Sequence, residues 1–212
     1  MKLISVNVSL PKEVQWEEGT VSTAIFKEPV RHRVKVYRRN LEGDKQADQT
    51  VHGGPDKAIY AYASEHYDRW KKDLRRADLP WGMFGENLTI SGGLFESEIF
   101  IGDRFAIGTA ELMAIQPRMP CYKLGIRFGT QRIVKQFAQS RRYGVYFRVI
   151  KEGELGAGDP VKLLGRNLQT VSIQDVGRLL LEHNKDLSLI ERAIGIDVLP
   201  EYFRNYFSSL LE

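Results

Sequence analysis

The stretch QPRMPCYKLGI, Gln116 to Ile126, holds the only cysteine of the chain, Cys121, with Pro117 and Pro120 before it and Arg118 and Lys123 close on either side. A thiolate is both a nucleophile and a soft metal ligand, and neighbouring cations favour it over the thiol. The prolines break the apolar run ELMAIQ and place the thiol in a loop. The competing reading is a buried small hydrophobe, the common fate of a cysteine outside a site. Residue types alone leave both open. A single cysteine does exclude an intrachain disulfide, a Cys-rich zinc site and a self-contained iron–sulfur cluster, each of which needs several thiolates. Redox chemistry here would need a bound cofactor and borrowed electrons.

A second stretch, GDKQADQTVHGGPDKAIY from Gly43 to Tyr60, sets His52, Gly53 and Gly54 just ahead of Lys57. Paired glycines let backbone N–H groups line a concavity that suits an anion, and Lys57 adds charge. The same letters are ordinary turn chemistry before a strand. They form neither a phosphate-binding Walker loop nor a dinucleotide fingerprint. A third stretch, WGMFGENLTISGG from Trp81 to Gly93, reads as a tight loop that either presents Asn87 as a polar contact or only closes a turn with it. In STAIFKEPVRHRV, Lys27 follows an apolar run and precedes Pro29. His32, His66 and His183 lack metal-ligand spacing and read as structural or surface residues.

Charge is uneven along the chain. Residues 1–165 carry 26 Lys/Arg against 20 Asp/Glu, a net of +6, whereas 166–212 carry 5 against 7, a net of −2. Between Glu111 and Glu152 there is no carboxylate, yet there are nine cations. Such a run is often only a solvated face, but a window of about forty residues without a compensating acid leans toward an anionic ligand. Plain nucleic-acid binding fits poorly, since the tail that most resembles a DNA-reading module is acidic.

The elements that must position these residues are mostly short strands. LISVNVSL, TAIF, RVKVYR, AIYAY, NLTI, FAIG, ELMAIQ, GVYFRVI and VKLLG are separated by Gly/Asp punctuation, a pattern that implies a barrel or sandwich. One helix is expected after Ser64 as N-cap, with Tyr67, Trp70 and Leu74 on one stripe, and a second after Thr130. From Ser172, a near capping box with Asp175 opens the first of three short helices, the last with Pro200 near its first turn. The chain thus reads as a β domain over 1–165 and a three-helix unit over 166–212. At 212 residues with 42% hydrophobic content it can bury a core, and its N-terminus carries no secretory or membrane-spanning pattern, so a cytoplasmic protein is expected.

In order, GDKQADQTVHGGPDKAIYAY, FGENLTI, IGDRFAIGTAELMAIQPRMPCYKL and YGVYFRVIKEGELGAGDPVKLL resemble the successive motifs of the MOSC domain, and the acidic tail resembles the three-helix appendage of its YiiM-type branch. The resemblance covers roughly residues 20–165. It implies a mainly β fold, a MOSC-type β-barrel with inserted helices, that binds the molybdenum cofactor with Cys121 as metal ligand and catalytic residue. It also implies reduction of N-hydroxylated compounds such as hydroxylaminopurine to the amine. The phosphate and polar edges of a pyranopterin would then fall to His52, Gly53, Gly54, Lys57, Arg118 and Lys123, with Asn87 and Lys27 on the pocket wall. No flavin or nicotinamide fingerprint is visible, so a separate electron-donor protein, a flavin or iron–sulfur reductase, is expected. The competing function is a carrier that binds the cofactor, or sulfur for it, without turnover. A homodimer is expected only from the commonness of twofold assemblies.

Overall fold

The computed structural model describes residues 1–17, 19–48, 53–166, 171–183 and 185–211; His52 lies outside them. The chain opens with β1 (Lys2–Val8), the hairpin β2 (Lys12–Trp16) and β3 (Gly19–Thr23), then β4 (Glu28–Val30), β5 (Val34–Tyr37) and the short β6 (Asn40–Leu41). A single 3-10 turn, Pro55–Lys57, leads into β7 (Ile59–Ala63), α1 (Ser64–Leu74), β8 (Leu88–Ser91), β9 (Arg104–Ile107) and β10 (Ala110–Pro117). Next come α2 (Tyr122–Phe128), α3 (Arg132–Ser140), β11 (Val145–Lys151), β12 (Gly153–Leu155) and β13 (Val161–Gly165). Three helices follow: α4 (Ile173–Leu181), α5 (Leu187–Ile194) and α6 (Glu201–Ser208).

Eight strands form one sheet in the order β13-β9-β10-β11-β7-β8-β1-β4. Among the described residues its one parallel pair is β7 with β8, and α1 makes the crossover that parallel neighbours require. β12-β5-β6 and β2-β3 form two small sheets. Among the described residues the ladders run open from β13 to β4, so they do not themselves draw the closed barrel that was expected. A single bridge joins Lys2 to Pro160, and Leu3 N–H donates to Asp159 O at 2.9 Å while Val161 N–H donates to Met1 O at 3.0 Å. These bonds draw β1 toward the start of β13. The fold is therefore sheet-rich, with six α-helices among the described residues.

Apolar residues gather in two clusters. The larger joins sheet residues such as Leu3, Ile90, Leu112 and Phe147 to Val176, Ile190 and Phe207 of the last three helices. The second is aromatic, with Tyr62, Tyr67, Trp70, Phe84 and Phe137 buried together and the Trp70 and Phe137 rings stacked at 6.1 Å. Each such side chain contributes about 1.5–3 kcal/mol on burial. No helix of the described residues is long and apolar enough to cross a membrane.

Local signals fared unevenly. Ser172 and Asp175 do form the capping box of α4: Asp175 N–H donates to Ser172 Oγ at 3.0 Å and Ser172 N–H to Asp175 Oδ2 at 3.1 Å. The N-cap of α1 is Ala63 rather than Ser64, whose hydroxyl bonds the Glu65 carboxylate instead. TAIF is not a strand. β3 ends at Thr23, whose hydroxyl accepts from Ile25 N–H at 3.2 Å and turns residues 24–27 out of the ladder. The helix α2, directly after Cys121, is also unforeseen, because seven residues between prolines and a glycine give no measurable period.

Candidate functional site

Four segments deliver polar side chains singled out by sequence to one open pocket. The turn after β3 brings Lys27, the 3-10 turn brings Lys57, the loop before β8 brings Asn87, and the loop after β10 brings Arg118, Cys121 and Lys123. Asp44, Tyr60, Tyr146, Ile25 and Gly85 complete much of the remaining wall. Gly53 and Gly54 are not on it; they lead into the turn that presents Lys57, whose N–H donates to Gly54 O at 3.3 Å.

Cys121 is half-buried at the N-cap position of α2. Arg118, 6% exposed, turns inward, donates from Nη1 to the Phe84 carbonyl, and lies over the Tyr60 ring at 5.0 Å and the Phe137 ring at 5.6 Å. Burial works against its charge, but Tyr60, Tyr146 and Cys121 outweigh that and hold its pKa above the ordinary guanidinium value. The cation and the sulfur thus line the same pocket and interact electrostatically. Tyr60 and Tyr146 are cross-strand partners on β7 and β11, with rings 5.1 Å apart. Burial raises both phenol pKa values, against the opposing pull of Arg118. Lys57 is half-buried, and burial lowers its ammonium pKa despite the neighbouring Asp56.

The Asn87 side arises from a buried carboxylate one residue earlier. Glu86 folds back to accept from Tyr67 Oη, from Gly82 N–H at 2.9 Å, from Phe84 N–H at 3.2 Å and from Thr89 Oγ1 at 2.9 Å. Its pKa is raised by burial, which these donors oppose. With that loop pinned, Asn87 Oδ1 accepts from Tyr60 N–H at 3.1 Å and its Nδ2 donates to Asp44 Oδ2 at 2.9 Å. The other Asp44 oxygen takes the Lys27 ammonium and the Ser9 N–H. Lys27 and Asp44 are 8% and 5% exposed. Gly85, at φ +77°, completes the cradle: a Cβ there would stand 3.0 Å from Ile25 Cγ1 and 3.8 Å from Arg118 Nη2.

Of the residues singled out by sequence, Lys27, Lys57, Asn87, Arg118, Cys121 and Lys123 thus meet in one place. Asp44 was missed because it sits in LEGDKQ, which reads as turn punctuation, and its partners are 17 and 43 positions distant. Tyr60 and Tyr146 were read only as strand residues; cross-strand pairing puts them on the pocket. His66 binds Glu96 at 2.9 Å in the interior, in keeping with a structural role. Among the described residues no group of three or more His, Cys, Asp or Glu is placed to hold a metal ion.

A sheet-rich fold with one cysteine set among cations over an open pocket defines the class, and the chain belongs to the MOSC domain family, whose profile matches residues 48–162. Among individual relatives, it is 39% identical over 205 residues to the uncharacterized protein YflK of Bacillus subtilis, covering 97% of this chain and 92% of that protein. It is 36% identical over 176 residues to protein YiiM of Escherichia coli, covering 82% and 77%. It is 31% identical over 175 residues to a Gibberella moniliformis protein named reductase, covering 81% of this chain and 31% of that one. The crystal structure of YiiM from Geobacillus stearothermophilus superposes with a TM-score of 0.82 at 31% identity, covering 100% of this chain and 99% of that one.

Proposed function

We propose that the protein is a molybdenum cofactor-dependent reductase that converts N-hydroxylated compounds, hydroxylaminopurine among them, to the amine. The observation that carries this reading is the meeting of Cys121 with Arg118, Lys123, Lys57 and Lys27 on one pocket. Membership of the MOSC family and the relative named reductase support it.

The residues present fit that cofactor by their chemistry. Cys121 offers one soft sulfur donor suited to molybdenum. The cations Lys57, Arg118 and Lys123 suit the phosphate, and Asn87 and Lys27 suit polar ring edges. Gly85 leaves the space that a side chain would fill. When bound and reduced, the cofactor would supply two electrons and an acceptor for the hydroxyl oxygen. The net change is R–NHOH plus two electrons and two protons to R–NH2 plus water, and the electrons come from a separate flavin or iron–sulfur donor. The chain's own part would be to ligate and to orient, and the Lys27 ammonium beside Asp44 supports a polar pocket wall for that purpose.

The test is reduction of hydroxylaminopurine to adenine by protein made in a cofactor-producing host, with reduced methyl viologen as electron source. Turnover by the wild type, lost in Cys121→Ala, is expected. Fully loaded protein that never turns over would instead make it a carrier.

A further inference from the structure

The last helix reaches the pocket through one buried amide. Gln116, 1% exposed on β10, stands two residues before Arg118 and five before Cys121. Its Oε1 accepts from the Tyr202 hydroxyl of α6 at 2.5 Å, and its Nε2 donates to the Asp56 carbonyl at 3.1 Å. Asp56 belongs to the turn that presents Lys57, and its carboxylate takes Arg148 of β11 at 2.6 Å. The Lys57 ammonium in turn lies 5.6 Å from the Tyr202 ring. Two walls of the pocket, the cysteine loop and the lysine turn, therefore share a single amide whose remaining acceptor is held by the appendage.

The strand needs such a tie. The register of β10 against β11 shifts between Ala114 and Gln116, and a bulge re-aims side chains while interrupting the ladder that would otherwise fix them. Packing alone does not explain Tyr202. Phe203 and Phe207 dock α6 into the core, whereas Tyr202 is 49% exposed.

We propose that Tyr202 is a positioning residue, which acts through Gln116 to set the cysteine loop against the Lys57 turn, so that the C-terminal helices shape the pocket without lining it. This rests on Cys121 and Lys57 belonging to one working site. Tyr202→Phe in the full chain removes only the hydroxyl and keeps the ring.

Two readouts test it. In cofactor-free protein, alkylation of Cys121 by iodoacetamide reports the loop directly, because no other cysteine exists. Tyr202→Phe should react about fivefold faster, the ratio set by the net contribution of one hydrogen bond, while its melting temperature falls by only a few degrees. Phe207→Leu, a packing control, should melt earlier while alkylating at the wild-type rate. In cofactor-loaded protein, Tyr202→Phe should release molybdenum faster by a similar factor. Wild-type alkylation by Tyr202→Phe, or equal acceleration by Phe207→Leu, overturns the proposal. Faster alkylation in a protein whose wild type never holds molybdenum sustains the latch and removes the cofactor reading instead.

Discussion

The Asp44 carboxylate holds the side-chain amide of Asn87 at 2.9 Å, and through its second oxygen it also holds the Lys27 ammonium. One acid, distant in sequence from both, thus fixes two polar side chains of the pocket that Arg118 also lines. Removing it strands a buried cation, whereas removing the cation leaves Asp44 with two donors, Asn87 Nδ2 and Ser9 N–H. Asp44→Ala should therefore destabilise the fold by about 3–5 kcal/mol and Lys27→Met by distinctly less. Urea unfolding of both variants checks the order; equal losses would contradict it.

Arg118 combines a charge with a planar fork that bonds the Phe84 carbonyl and covers two rings. Lysine keeps the charge and loses the fork. Arg118→Lys should keep the fold by circular dichroism yet retain about tenfold less pterin, the equivalent of one charge-assisted hydrogen bond. Full pterin content in a folded variant would argue that only charge matters at this position.

Gly85 has a positive φ, and its missing Cβ leaves room between Ile25 and Arg118. Alanine there should cost about 1–3 kcal/mol through backbone strain and overpacking, or several degrees of melting temperature in a chain of this size. Thermal unfolding measures it. A melting temperature equal to wild type would mean that the cradle has slack.

Burial raises the phenol pKa values of Tyr60, Tyr62 and Tyr67 well above the ordinary value, and puts Tyr143 at about 12. For a group whose folded pKa is raised, the unfolded chain loses its proton first. Stability is then fully present below the unfolded value near 10 and falls as pH rises through the folded values. Unfolding free energy should be insensitive to these tyrosines up to about pH 9 and should collapse between roughly 10 and 12. A spectrophotometric tyrosine titration run alongside the melt would show the phenols ionising only as the fold is lost.

Much of this was legible in the sequence, for physical reasons. Strands rich in Ile, Tyr and Phe and the Ser172–Asp175 cap announce themselves locally. The cation-rich cysteine loop did so through composition. What stayed hidden depends on distance along the chain. Asp44 gains its partners only on folding, Tyr60 and Tyr146 need the β7–β11 register, and Gln116 meets a tyrosine 86 residues later. α2 was hidden for another reason, its brevity. TAIF shows the reverse failure: an apolar run with strand propensity is diverted by the Thr23 hydroxyl to become pocket wall.

The proposed function requires Cys121 to hold molybdenum in this pocket. The measurement is molybdenum and pterin per protein chain for wild type and Cys121→Ala, both produced in a host that makes the cofactor. Both components are expected in the wild type, with loss of the metal in a variant that still folds. Metal and pterin absent from a correctly folded wild type would contradict it, and the cations around Cys121 would then serve a different anion.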